Sequence, residues 1–300
     1  MKTRRRLIDR PAFWGFLFTT PWLIGFLVFT AGPMLTSLYL SFTKYDLNTM
    51  QFVGTKNYHK LLFDDPIFLK SLRVTVTYAL FAVPLGVTGS LGLALLLNLK
   101  LRGQRFFRTF FYLPAIVPSV ASAVLWMWIF NSDYGLLNYA LGIFGIGGVE
   151  WLSDEKYALS AIILMSLWGI GGSRMIIFLA GLQGISDTYY EAARLDGASV
   201  WQQFRYVTVP QLSPVIFFNV ILGVIGSFQV FNSVYVMTNG GPNNATLTYA
   251  LNLFRNAFEY FKFGKASAMA WILFVILLVI TGIQFWTSKR WVHYEGEARS

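Results

Sequence analysis

Two pairs of neighbouring carboxylates, Asp64-Asp65 and Asp154-Glu155, are the nearest this chain comes to a general acid beside a general base. That chemistry needs its two groups on either side of a scissile bond, and adjacent residues do not flank one by themselves. Both pairs fall in short segments between apolar runs and read as solvated loop charges. His59 and His293 are the two histidines, and there is no cysteine. Thiol nucleophiles, disulfides and cysteine metal sites are thereby excluded. Two histidines far apart in sequence fall short of the three or four convergent ligands a metal needs. Gly264-Lys265 is the one Gly-Lys pair, and it lacks the earlier glycine of a phosphate-cradling loop. No catalytic residue, cofactor-binding residue or metal ligand is therefore assigned, and the chain is not expected to be an enzyme.

The elements that carry the remaining polar groups are membrane helices. The chain is 55% hydrophobic and 13% charged, against about 25% charged in a soluble domain. Six apolar runs reach the ~20 residues that cross a bilayer as helix: 13–42, 74–99, 109–130, 157–181, 213–238 and 266–288. The first has a basic start at Arg4, Arg5 and Arg6. It is too long for the apolar region of a signal peptide and ends without a small-x-small cleavage site. It reads as an uncleaved span, bent at Pro21 or Pro33.

Cations in the short loops set the orientation. Lys2, Arg4, Arg5, Arg6 and Arg10 precede the first run, and Lys100, Arg102, Arg105 and Arg108 follow the second. Arg194 and Arg205 follow the fourth, and Lys289 and Arg290 the sixth. With six spans these segments share one side, so both termini are expected in the cytoplasm. Lys44, Lys56, Lys60 and Lys70 oppose them, accompanied by Asp46, Asp64 and Asp65. The same bias accounts for the net charge of +10 through anionic lipid, without nucleic acid. Five of the six runs carry no Asp, Glu, Lys, Arg or His, which argues against a proton-driven carrier. A sodium site built of carbonyls and hydroxyls would escape that test. Active transport by this chain needs an energy source on another polypeptide.

One polar insert, 182–212, is too long for a simple turn between helices. Thr188-Tyr189-Tyr190-Glu191 fits a capping box, and so does Ser199-Val200-Trp201-Gln202. Asp196-Gly197 ends the first helix, with glycine free to turn left-handed. Val209-Pro210 predicts an extended exit, and Pro214 suits the first turn of the next span. The insert is thus helix, glycine hinge, helix, with an apolar face of Ala192, Ala193, Leu195, Ala198, Trp201 and Phe204. An amphipathic pair lying in the lipid interface is the competing reading of this pattern.

Glu191-Ala192-Ala193, Asp196-Gly197-Ala198, Phe204, Val209-Pro210 and Pro214 resemble the EAA loop of ABC-importer permeases. Val207 and Val209 stand where that family prefers Ile and Leu. Phe52-Val53-Gly54 with Asn57-Tyr58, Leu113-Pro114, and Thr238-Asn239-Gly240-Gly241-Pro242 with Thr246 and Ala257-Phe258 resemble its carbohydrate-uptake branch, of maltose and glycerol-phosphate permease type. The last set is similar to the first of that branch's two unlike permease subunits. The resemblance covers nearly the whole chain. It lacks the extra N-terminal spans and the large outer domain of the maltose subunit, and is similar to a minimal six-span version. The resemblance implies an all-α membrane bundle of importer type I with a cytoplasmic coupling helix. It implies ATPase coupling through Glu191, Ala192, Ala193, Asp196, Gly197, Ala198, Phe204 and Pro210. The implied partners are a second homologous permease, two ATP-binding subunits that hold the ATP and Mg, and an external solute-binding protein. No cofactor is expected on this chain.

A sugar path needs polar and aromatic side chains facing inward in the spans. The candidates are Ser119, Ser122 and Trp126 in the third run, and Ser166, Trp168 and Gly169, followed by Gly171-Gly172, in the fourth. The fifth offers Asn219, Gly223 and Ser227 at four-residue spacing, then Gln229 and Asn232. Small and hydroxyl residues at that spacing equally serve close helix packing. Arg174 is the one charge placed within a run. Snorkelling to the cytoplasmic surface, or positioning the insert, is favoured over facing the path.

The expected organisation is an N-terminal tail 1–12, a first span with its outer loop 13–73, a core permease region 74–288 containing the loop 182–212, and a tail 289–300. The expected function is the permease of an ATP-driven bacterial sugar importer in the cell inner membrane, working by alternating access. The rivals are an ion-coupled secondary carrier and a non-transporting membrane enzyme or scaffold. Disaccharide, oligosaccharide, polyol and sugar phosphate are all compatible cargoes.

Overall fold

The computed structural model describes residues 11–99 and 102–293. Lys2, Arg4, Arg5, Arg6, Arg10 and Lys100 lie outside those residues, as do 1–10 and 294–300 of the two tails. In lipid a backbone must satisfy its own polar groups, so the apolar runs become helices. Among the described residues four helices are long and apolar enough to cross a bilayer. Two bent helix pairs raise that to six crossings when each pair counts as one span.

Helix α1, Trp14–Ser41, runs unbroken through Pro21 and Pro33. A π-turn at Leu27–Ala31 precedes Pro33, and the Gly32 N–H reaches back five residues to the Leu27 carbonyl. The wider turn shifts the ladder by one place where proline has no donor to give. After α1 comes a small antiparallel ribbon that the sequence reading did not foresee. It pairs β1, Thr43–Tyr45, with β2, Met50–Phe52, placing Thr43 opposite Phe52. In its turn Asp46 Oδ1 accepts from Thr49 Oγ1 at 2.8 Å and from Thr49 N at 3.0 Å. Those bonds stabilise the carboxylate and hold its pKa below the ordinary value.

Two compact units divide the chain. One takes the residues up to Asp64 together with Leu253–Phe274. In it the Asn57 amide donates to the carbonyls of Ser41 at 2.9 Å and Thr43 at 2.8 Å, while Tyr58 Oη donates to Ser41 Oγ at 2.7 Å. Asn57-Tyr58 thus clamps the exit of α1. Gly264 lies so close to this corner that a Cβ there would fall 1.9 Å from the Thr43 carbonyl oxygen.

The other unit is Asp65–Asn252 with the chain from Val275 onward. Its central post is α2, Pro66–Asn98, 33 residues long and therefore ~50 Å. It starts well before the expected 74 because Asp65 caps it, accepting from Ile67 N at 3.1 Å and Phe68 N at 3.0 Å. Asp154 likewise caps the fourth segment through Lys156 N at 2.8 Å, and Glu155 accepts from the Asn243 amide. Asp64 sits 3.6 Å from His59. So three of the four paired carboxylates are built into structure rather than merely solvated, and His59 has a carboxylate neighbour.

The third run is not one rod. It is α3, Gln104–Ile116, and α4, Ser119–Ile129, meeting at 97°. Pro118 holds Val117 extended, at φ −69° and ψ 129°, and ends α3. The fourth is also broken, into α5, Glu155–Leu167, a 3₁₀ turn at Trp168–Gly171, and α6, Ser173–Gly184, with a bend of 43°. Ser90 of α2 donates 2.7 Å to the Ile170 carbonyl, which the break would leave unpaired.

The insert begins with α7, Asp187–Leu195, followed by α8, Val200–Gln203. A π-turn at Phe204–Thr208 and a helical turn at Val209–Gln211 lead into α9, Ser213–Phe228. Then come α10, Asn232–Met237, α11, Tyr249–Phe254, and α12, Phe263–Ser288. One core joins α2, α6 and the start of α9 through Val83, Val87, Leu93, Phe178, Leu182 and Leu212. A second joins α2 and α5 to the stretch after α9 through Tyr78, Ala82, Ile162, Val234 and Leu247. The turn after α10 is knitted by hydroxyls. Thr246 Oγ1 donates to the Gly241 carbonyl and lies 2.7 Å from Thr238 Oγ1. Tyr249 N donates 2.7 Å to the buried Thr75 Oγ1 of α2.

Candidate functional site

Two places concentrate the predicted residues: the insert, and a cavity inside the helices of the second unit.

In the insert, Ser186 rather than Thr188 is the N-cap of α7, accepting from the Thr188 N–H. The expected capping box at Thr188 does not form because the helix starts two residues earlier, with Asp187 in its first turn. Ser199 does form its box: Gln202 N donates to Ser199 Oγ at 3.3 Å and Ser199 N to Gln202 Oε1 at 2.7 Å. Between the helices Gly197 has φ +78°. Gly197 N donates to the Arg194 carbonyl at 3.0 Å and Ala198 N to the Ala193 carbonyl at 2.9 Å. That pair of bonds is the Schellman closure of a helix on a left-handed residue.

Val209-Pro210 does not run out extended. Val209 is helical, at φ −63° and ψ −45°, and its N–H reaches back to the Phe204 carbonyl across the π-turn. As before Pro33, the wide turn makes room for the proline. The two arms are braced: Tyr190 Oη lies 3.0 Å from Thr208 Oγ1, and Gln203 Nε2 donates 2.9 Å to the Ala198 carbonyl. Trp201 and Phe204 pack ring to ring with centroids 5.3 Å apart. Yet Leu195 is 90% exposed, Val200 84% and Trp201 69%. The insert is braced by its own hydrogen bonds and presents bare apolar side chains at its tip. Glu191, Ala192, Asp196 and Gly197 are exposed with them, and Ala193, Ala198, Phe204 and Pro210 are half-buried.

The cavity has a volume of about 360 Å³. Tyr78, Ala82, Val83 and Gly86 of α2 line one wall, Ser166, Gly169, Ile170, Ser173 and Arg174 of the broken fourth segment another, and Gly223, Gly226 and Ser227 of α9 the third. Ser166, Gly169, Gly223 and Ser227 were expected on sequence grounds. Each serine donates to its own helix, Ser166 to Ile163 at 2.6 Å and Ser227 to Val224 at 2.7 Å, which leaves acceptor lone pairs for the cavity.

The other predicted polar residues lie elsewhere. Trp126 and Trp168 face a separate apolar cavity of about 470 Å³ with Trp128 and Tyr134, their rings 6.1 Å apart. Ser122 is buried. Ser119 accepts from the Asn232 amide at 3.0 Å, so these two hold α4 against α10. Gln229 is exposed at the end of α9. Asn219 is buried and donates to Val215 at 2.9 Å. Gly171 and Gly172 are packing glycines: a Cβ on Gly171 would fall 2.0 Å from the Phe111 carbonyl of α3.

Sequence reasoning missed Tyr78, Gly86 and Ser173. A lone tyrosine and glycines within an apolar run were the signals available. Arg174 is not drawn to a surface as favoured above. It stands at the second residue of α6, where the fourth segment breaks, and its guanidinium enters the cavity. A Cβ on Gly86 would lie 2.7 Å from Nη1, and one on Gly223 3.3 Å from Nη2.

Residues 82–293 match the family described as the binding-protein-dependent transport system inner membrane component. The chain is 44% identical to a probable ABC transporter permease, YesP of Bacillus subtilis (strain 168), over 98% of its own length and 96% of the relative's. It is 36% identical to the lactose transport system permease LacF of Rhizobium radiobacter, covering 92% and 94%. The fold is that of a permease chain in a bacterial alginate ABC transporter solved with its pentasaccharide-bound periplasmic protein, with TM-score 0.84, 22% identity and coverage of 96% and 98%. A broken-helix bundle, a braced polar insert and these matches lead to one conclusion: the chain belongs to the binding-protein-dependent inner membrane components, the permease subunits of ABC transporters.

Proposed function

We propose that this permease carries a saccharide inward and that the insert 182–212 is the lever through which partner ATPases drive it. The observation that carries the reading is the tip of the insert. Leu195, Val200 and Trp201 stand bare on a segment whose ends are capped and whose arms are cross-braced. Exposed aromatic and aliphatic anchors on a preorganised element are what a docking surface needs. Glu191, Ala192, Ala193, Asp196, Gly197, Ala198, Phe204 and Pro210 shape or flank that tip. In this reading Glu191 contacts the ATPase and Gly197 supplies the turn.

The complete machine has two ATP-binding subunits, a second homologous permease and an external solute-binding protein. The cation bias of the loops, Arg102, Arg105, Arg108, Arg194, Arg205, Lys289 and Arg290 among the described residues, supports a cytoplasmic side for the insert and both termini. A saccharide is supported by the hydroxyl-lined cavity, by the transport role named for the lactose relative, and by the motifs of the carbohydrate branch. Ser166, Gly169 and Ser227 are the path residues the cavity favours. Ser119, Ser122, Trp126, Trp168, Gln229 and Asn232 are not among the residues that line it. Alternating access follows when ATP-driven closure of the partners moves the lever and swings the helices about the cavity.

The test is uptake in proteoliposomes holding the full complex. Saccharide uptake should stop on ATP depletion and survive an uncoupler. Uptake that survives ATP depletion and collapses with the uncoupler refutes the proposal in favour of a secondary carrier.

A further inference from the structure

We propose that Arg174 binds the anionic group of an acidic saccharide, so that the cargo of this permease bears a carboxylate or a comparable oxyanion. The inference rests on the saccharide reading above and narrows it.

Depth is the first argument. Arg174 stands ten positions before Gly184, the end of α6, which is ~15 Å along the helix. That sets it inside the bent apolar span Glu155–Gly184, away from either end. A cation there is costly, and such residues face a bundle interior or a water-filled cavity and mark a pathway.

Room is the second. The guanidinium lies against α2 and α9 at two glycines, Gly86 and Gly223, with prospective Cβ positions 2.7 Å from Nη1 and 3.3 Å from Nη2. Any larger side chain at either position would press on the charged head. Both helices are thus cut away around the place where it sits.

The third is the missing counter-charge. Neither the His59–Asp64 pair nor the Arg255–Glu259 pair involves Arg174, and none of the described residues lining the cavity is acidic. Arg174 is half-buried, and a cation held partly out of water with no acidic partner is unfavourable unless something else satisfies it. The cavity offers the hydroxyls of Tyr78, Ser166, Ser173 and Ser227 and about 360 Å³ of space, within the range that holds small ligands. The first turn of α6 adds the positive end of its dipole at the same place. Arginine presents parallel N–H donors that match a carboxylate or phosphate in two-point contact. A sugar ring against the hydroxyls and an oxyanion on the fork would use the polar side chains that line the cavity.

The complex with its own binding protein, second permease and ATPases would be reconstituted and its ATPase stimulation and uptake measured. The probes are disaccharides of galacturonate, glucuronate and mannuronate, their neutral counterparts, and hexose phosphates. For the wild type, stimulation by an acidic member above its neutral counterpart is expected. A uronate response identifies a carboxylate, and a hexose phosphate response a phosphate. Arg174→Gln should lower uptake of that probe at least tenfold, and Arg174→Lys should restore part of it. Stimulation of the wild type by neutral saccharides alone overturns the proposal and leaves the saccharide importer standing. Equal uptake of the acidic probe by wild type and Arg174→Gln also overturns it. If no saccharide of either kind acts on the wild type, the saccharide reading falls as well. The wild-type comparison decides the matter even if Arg174→Gln fails to assemble.

Discussion

Replacing Gly197 by valine should uncouple ATP hydrolysis from uptake while leaving the complex assembled. The magnitude follows from the local geometry. No atom lies within 4 Å of a Cβ built at Gly197, so the substitution meets no neighbour. Its cost is conformational, because φ is +78°. A left-handed residue with a Cβ costs about 1–2 kcal/mol, and a β-branched one is worse still. The bonds from Gly197 N to Arg194 and from Ala198 N to Ala193 hold the turn, and each contributes about 0.5–1.5 kcal/mol. They are lost if the backbone flips to relieve the strain. A penalty of about 1.4 kcal/mol lowers the docking-competent lever about tenfold relative to its alternatives. Alanine should sit near that value and valine beyond it. Asparagine, which tolerates the left-handed region, should stay close to glycine. The assay is solute taken up per ATP hydrolysed in proteoliposomes for the Gly, Asn, Ala and Val variants. A ratio for Gly197→Val equal to that of the wild type, or an asparagine variant as poor as valine, would refute the mechanical role of the turn.

Gly171→Ala should sharply lower the yield of folded complex, since its Cβ would fall 2.0 Å from the backbone oxygen of Phe111, at a cost of about 1–3 kcal/mol or more. Gel filtration of the detergent-solubilised complex reads it. Asn57→Ala removes the donor to the Ser41 and Thr43 carbonyls and should cost about 1–3 kcal/mol. Faster amide exchange at Thr43–Tyr45 would be its sign, and unchanged exchange would discount the clamp. Ser199→Ala breaks the reciprocal box at about 0.5–2 kcal/mol, and should weaken ATPase binding without touching the cavity. Binding equal to wild type in a pull-down would count against it.

The shape of the insert was legible because its signals are local. Gly197 at a helix end and Ser199 three residues before Gln202 act through their own backbone. The start of α7 was misread because Ser186 and Thr188 are both competent caps, and Asp187 decided between them. Val209-Pro210 was misread because the rule for the residue before proline assumes an ordinary α-turn, and a π-turn evades it. The breaks at Pro118 and at Gly171-Gly172 were hidden inside continuous apolar runs. Hydropathy measures length and not direction, so a bend of 97° leaves no trace in it. Four of the twelve residues lining the cavity, Ser166, Gly169, Gly223 and Ser227, were visible as hydroxyl and small residues within apolar runs. The rest, Gly86 and Tyr78 around Arg174, needs three helices to meet and has no signature along one.

If Arg174 meets the solute as proposed, its fixed charge also guards the route. An importer that opens to each side in turn risks carrying protons and metal ions down the membrane potential. A unit cation brought within 4 Å of the Arg174 guanidinium meets ~4 kcal/mol of repulsion at an effective dielectric of about 20, which is nearly a thousandfold in occupancy. The group that welcomes an anion at this depth therefore makes the same passage insulating toward the ions whose gradients the cell must keep.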